Sequence, residues 1–261
     1  MRYTSSQFTV ACSVILTVVF LIITAKSYSY MFRRNVPTPP SELSVFDKID
    51  FEGNYLPFYG YTIISMVSDR KGAPTRWEEY LQKAPTLRAH MAPLPASSYH
   101  ATIYNIFTQR KVPSRYTSKS GLVPSSHWTS THRMLQQDMS HAQDVCKKVK
   151  GNIKFLKTRI NKHRHPGSAI SIRGTLSMSE EVSVIEGKLR EIFVDIGNPI
   201  KFHHITLGYI FKEIGDDDFK RINEELQKLW DQVPDEILLD IPNVCYFETM
   251  KEFLPLKDIP N

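Results

Sequence analysis

Apolar and polar positions along this chain recur regularly enough to divide it into elements before any composition is weighed. Residues 3–25 carry no charge, and 8–24 (FTVACSVILTVVFLIIT) are almost wholly apolar. That run exceeds the apolar core of a secretory signal and approaches the roughly 20 residues a membrane-spanning helix requires. The expectation is an uncleaved signal anchor, a transmembrane helix over 1–26, making a single-pass membrane protein. A cleaved signal peptide and a secreted body form the alternative. Residues 35–41 (NVPTPPS) are Pro-rich, so 27–43 reads as an extended linker, and one domain fills 44–261.

Within that body the periodicity alternates between two and about 3.6 residues. Strands are expected over 61–67, 99–107, 153–160, 168–175, 202–211 and 244–248. Helices are expected over 75–91, interrupted or kinked at Pro85, over the stripe Leu135, Met139, Ala142, Cys146 and Val149, and over Val182, Ile185, Leu189 and Ile192 behind a Ser177 or Ser179 cap. A last helix carries Phe219, Ile222, Leu226 and Leu229. Each half thus holds a strand, a helix and a histidine-bearing strand, a duplication of element order without a residue-level repeat.

Composition narrows the class. Hydrophobic residues make up 41% of 261, enough for the core of one sizeable domain. The balance of 33 Lys+Arg against 27 Asp+Glu, with a pI near 9.1, suits anionic ligands. Cys12, Cys146 and Cys245 are too few for a disulfide scaffold and too scattered for a zinc site, and pairing of Cys146 with Cys245 stays open. Nine Lys or Arg and no acid lie between Val145 and Ser179, which reads either as a track for a polynucleotide or lipid headgroup or as a solvated surface.

The candidate chemistry lies in His100-Ala101-Thr102 and His204-Ile205-Thr206, each inside a run of strand formers. Side chains two apart on a strand share a face, so His100 points with Thr102 and His204 with Thr206, while Ala101 and Ile103 turn away. Parity adds Tyr104 to the first face and Gly208 to the second as candidate cleft lining, and sends His203 elsewhere. A third such triplet, His127-Trp128-Thr129, follows Pro124-Ser125-Ser126 and lacks strand context. His163-x-His165 has no Cys or carboxylate at ligand spacing, so no metal and no cofactor is expected. Imidazole titrates near neutral pH, so one histidine can accept a proton while another donates one, and neighbouring hydroxyls can hold phosphate oxygens.

These triplets, with Leu56 to Ile63 (LPFYGYTI), Leu94 to Thr102 (LPASSYHAT), Phe202 to Tyr209 (FHHITLGY) and Cys245 to Met250 (CYFETM), resemble the two-histidine (2H) phosphoesterase superfamily, whose members are similar to LigT-type RNA ligase/phosphodiesterases. The resemblance implies an α+β bilobal fold, with two antiparallel sheets, flanking helices and a central cleft. It implies His100 and His204 as catalytic residues, Thr102 and Thr206 as phosphate ligands, and metal-free action on RNA ends, 2′,3′-cyclic phosphates or related nucleotides. A monomeric catalytic domain, tethered to a membrane by its amino-terminal helix, is expected. The rival readings are a catalytically silent nucleotide-binding module and a lipid phosphodiesterase.

Overall fold

The structure, a computed structural model, describes residues 48–69, 72–110, 133–151, 153–177, 179–194, 198–200 and 202–258. The expected anchor over 1–26, the linker over 27–43 and the triplet at His127 lie outside the described residues. Among the described residues no helix is long and apolar enough to cross a membrane.

The first half runs β1 (Gly60–Met66), α1 (Ala73–Lys83), α2 (Pro85–His90), β2 (Met91–Pro93), β3 (His100–Thr108) and α3 (Arg133–Cys146). The expected long helix is two helices. Pro85 lacks an N–H and pushes its predecessor out of the helical region, and Ala84 is accordingly extended at ψ 107°. Trp77 and Leu81 of α1 and Leu87 of α2 are buried, and the Trp77 ring stacks on Tyr99 at 6.2 Å.

The second half runs β4 (Ile153–Asn161), β5 (Ala169–Ser177), α4 (Ser179–Ile192), β6 (Asn198–Pro199), β7 (His203–Ile210) and α5 (Asp216–Gln232). Three aspartates open α5, where negative charge suits the helix dipole, and Ile222, Leu226 and Leu229 bury its apolar stripe. The chain ends with β8 (Glu236–Leu239), β9 (Asn243–Thr249) and β10 (Glu252–Pro255). The short strands β2, β6, β8 and β10 have two to four residues each, too few for a visible period.

Two sheets were expected, and one is found. Its strands lie in the order β10-β9-β1-β3-β7-β5-β4-β8, with β2 on β7 and β6 on β3. The two motif strands are the innermost of their halves and pair directly through Ala101 opposite Ile205. An inner edge left open in each half would leave backbone polar groups unpaired, and joining the edges satisfies them. The last strands divide between the halves: β8 returns to β4, and β9 returns to β1.

Candidate active site

Parity places the four motif side chains on one face. His100, Thr102, His204 and Thr206 line a cavity of about 230 Å³, with Lys48, Phe58, Asn105, Tyr209 and Phe253 also in its wall. Ala101 and Ile205, one residue along, are fully buried on the other face.

Each histidine is held by its own strand. His100 Nδ1 lies 2.7 Å from the Ser98 carbonyl, two residues back. A carbonyl only accepts, so Nδ1 carries the hydrogen and Nε2 is the basic atom of the neutral ring. The His204 ring also bonds to the backbone of Phe202, again two residues back. Phe253 closes against His100 edge-on, with ring centroids 4.3 Å apart.

Both imidazoles are biased toward neutrality. Burial pushes His100 down to about 4 against the pull of the Ser98 carbonyl, with the charges of His204 and Lys48 adding to the burial effect. His204, the more open of the two, is lowered by burial and then by Arg173, Lys48 and His203, against the Phe202 bond. Each histidine feels charge elsewhere in the same cavity, so one proton shared across the pair is favoured over two.

Beyond the threonines, parity fails in both strands. In the β1–β3 ladder Ile63 pairs with Tyr104 and Ile64 with Thr102, leaving Ile103 without an opposite residue. In the β5–β7 ladder Ile170 pairs with Gly208 and Ser171 with Thr206, leaving Leu207 without one. An extra residue at this point reverses the alternation that follows, a common device beside active sites. Tyr104, expected in the cleft, instead faces the core, where it stacks on Phe193 at 5.9 Å. Gly208, expected to leave room for a ligand, instead leaves room for β2: a Cβ there would lie 2.5 Å from the Ala92 carbonyl oxygen. The cleft positions pass to the next residues, Asn105 and Tyr209.

Lys48 had no signal in the periodicity, yet it is the cation of the cavity. Its Nζ donates to Tyr209 Oη at 3.2 Å and lies over the Phe58 and Tyr209 rings at 5.0 and 5.1 Å. His203, excluded from the cleft by parity, bridges the two motif strands, with Nδ1 at 3.0 Å from the Thr102 carbonyl. His163 and His165 bond separately to Asn161 and Glu213. Cys146 and Cys245 are buried free thiols, both pushed up to about 12 by burial.

A family model described as a domain of unknown function (DUF1868), under the heading 2H-phosphodiest, matches residues 48–142. Uncharacterized protein 127L of Invertebrate iridescent virus 6 is 26% identical over 224 residues, which span 80% of this chain and 94% of that protein. Two solved structures are similar. One is the conserved protein of unknown function ATU0111 from Agrobacterium tumefaciens str. C58, with TM-score 0.49, 20% identity, and coverage of 85% of this chain and 94% of that one. The other is Kluyveromyces marxianus Usb1, with TM-score 0.36, 9% identity, and coverage of 77% and 98%. The family model spans the first motif, His100 to Thr102, and that part of the chain is similar to the family it describes, while the second motif is folded against the first in the same cavity.

Proposed function

We propose that this chain is a metal-independent phosphodiesterase acting on RNA ends, 2′,3′-cyclic phosphates or related nucleotides. The observation that supports this most is the pair of imidazoles in one cavity, each with a backbone partner two residues back on its own strand and a threonine two residues on. In the reaction the neutral histidine takes a proton from the attacking water at Nε2 as the new P–O bond forms. The other, protonated, gives its proton to the leaving oxygen as the old P–O bond breaks. Thr102 and Thr206 donate to the non-bridging oxygens, and Lys48 offsets their charge. An arriving phosphate anion raises the depressed histidine pKa values, so substrate itself loads the acid. The apolar segment 8–24 supports a body tethered to a membrane.

The test is an assay of the full chain in detergent and EDTA on cyclic nucleotides and oligoribonucleotide ends. His100→Ala and His204→Ala should each lose at least about 100-fold in turnover. Full turnover by both variants would rule the proposal out, nucleotide binding without product would favour the silent module, and cleavage of lysophospholipid alone would favour the lipid enzyme.

A further inference from the structure

Four of the nine cations between Val145 and Ser179 are paired by the fold itself. Lys147 pairs with Asp144 at 3.1 Å, Lys154 with Glu236 at 2.7 Å and Lys157 with Asp235 at 3.3 Å, and Arg164 pairs with Asp216. Lys157 also donates to the Trp230 and Val233 carbonyls, and the Arg164 guanidinium lies over the Phe219 ring. Arg159 and Arg173 are among the five that remain. Among the described residues neither has a carboxylate partner.

Their placement is specific. Arg173 of β5 is directly opposite His204 of β7, and Arg159 of β4 is directly opposite Arg173. Directly opposed residues of antiparallel strands share a face, so Arg159, Arg173 and His204 form one row across three strands. The next row on that face is Asn161, Ser171 and Thr206, which is also polar, whereas the row between them, Ile160, Ile172 and Ile205, belongs to the opposite face. The cleft face therefore continues past His204 as a polar, cationic surface, exposed along the arginine row. The charge of Arg173 is already felt by His204.

Like charges directly opposite each other destabilise a sheet. Two half-exposed or exposed arginines in that relation, without acids, represent a local cost that an anion would remove. Resting on the reading of the cavity as a phosphodiesterase site, we infer that Arg173 and Arg159 form a second phosphate subsite, which takes the next phosphate of an oligonucleotide whose terminal phosphate lies between His100 and His204. Arg173, one strand or ~5 Å from His204, receives the adjacent phosphodiester, and Arg159 receives the one beyond or shares it. The subsite makes the substrate a strand end rather than a free cyclic mononucleotide.

The experiment compares the full chain with its Arg173→Gln, Arg173→Lys and Arg159→Gln variants. Turnover is measured on a trinucleotide ending in a 2′,3′-cyclic phosphate, on a 2′,3′-cyclic mononucleotide, and on the same mononucleotide with a 5′-phosphate. Binding of a fluorescent trinucleotide 3′-phosphate is followed by anisotropy against salt. In the unaltered chain kcat/KM should favour the trinucleotide. That preference should fall about tenfold in Arg173→Gln, as expected for one charge-assisted contact, and return in part in Arg173→Lys. Each Gln variant should lower the slope of log K against log salt by about 0.7, and should melt at the same or a higher temperature because the opposed charges are gone. A preference retained only by the 5′-phosphorylated mononucleotide would overturn the strand-end assignment. An unchanged preference and slope, with turnover intact, would overturn the subsite and leave the phosphodiesterase standing. Arginine-dependent binding with no turnover of any substrate would keep the subsite and overturn the phosphodiesterase, and absence of both would overturn both.

Discussion

Asn105 and Tyr209 occupy the same station in their two strands: each lies five residues past its motif histidine, and each borders the cleft after an unpaired residue has shifted the alternation. Substitutions here should act on catalysis. Asn105→Ala and Tyr209→Phe, the latter removing the hydroxyl that receives the Lys48 ammonium, should each reduce kcat/KM about tenfold with little change in melting temperature. Tyr104→Ala, one position earlier than Asn105, should cost about 3–5 kcal/mol of stability by denaturant titration, as for a buried aromatic. If Tyr104 governs activity and Asn105 does not, the bulge assignment is wrong.

That contrast also marks how far the fold could be read in advance. Two residues on a strand share a face whenever pairing is regular, so His100 with Thr102 and His204 with Thr206 were legible from spacing alone. Position 104 and position 208 were not, because Ile103 and Leu207 are ordinary strand formers and only the partner strand leaves them unopposed. Helices with long stripes, such as the one carrying Ile222, Leu226 and Leu229, were equally legible. Lys48 and Phe253 reach the cleft from an isolated bridge segment and a four-residue strand, where no period exists to be read. The single sheet escaped the sequence for a related reason, since the joining of β3 to β7 rests on backbone atoms common to every residue.

Acidity should weaken the protein in a defined window. Folded His100 titrates at about 4 and the unfolded residue near 6.5, so between these values the unfolded chain binds more protons. Stability is complete above about pH 6.5 and should fall as pH drops toward 4, with His204 contributing in the same direction. Melting temperature followed from pH 7.5 to 4 should show this decline, and His100→Gln should flatten it.

Removing the nearby cation should move both histidines upward. Lys48 lowers His100 and His204 alike, so Lys48→Met should raise the pH at which each ring titrates by NMR and shift the acid limb of kcat/KM in the free enzyme to higher pH. Rings that titrate unchanged would separate Lys48 from the histidine pair.

His203 should prove a positioning residue. Its bond to the Thr102 carbonyl crosses between the motif strands, and His203→Ala should lose about 1 kcal/mol of stability together with several-fold in kcat. The pH profile should keep both limbs, because the proton-transferring groups remain, and move only upward for His204 as the charge of His203 is lost. Loss of one limb would instead give His203 a share in the proton chemistry.

Gly208→Ala should report packing. The added methyl would meet the Ala92 carbonyl oxygen at 2.5 Å, a backbone atom that cannot swing aside, so the β2–β7 pairing must yield. A loss of about 1–3 kcal/mol with KM nearly unchanged is expected by thermal denaturation and steady-state kinetics.

The direct pairing of the two motif strands is confined to Ala101 opposite Ile205. Each imidazole is oriented within its own half, so neither half needs the other to prepare its reagent, only to present it at the right distance. A misfit at that one joint would therefore produce an unusual casualty: a folded protein whose histidines are each held as in a working enzyme, and which does nothing.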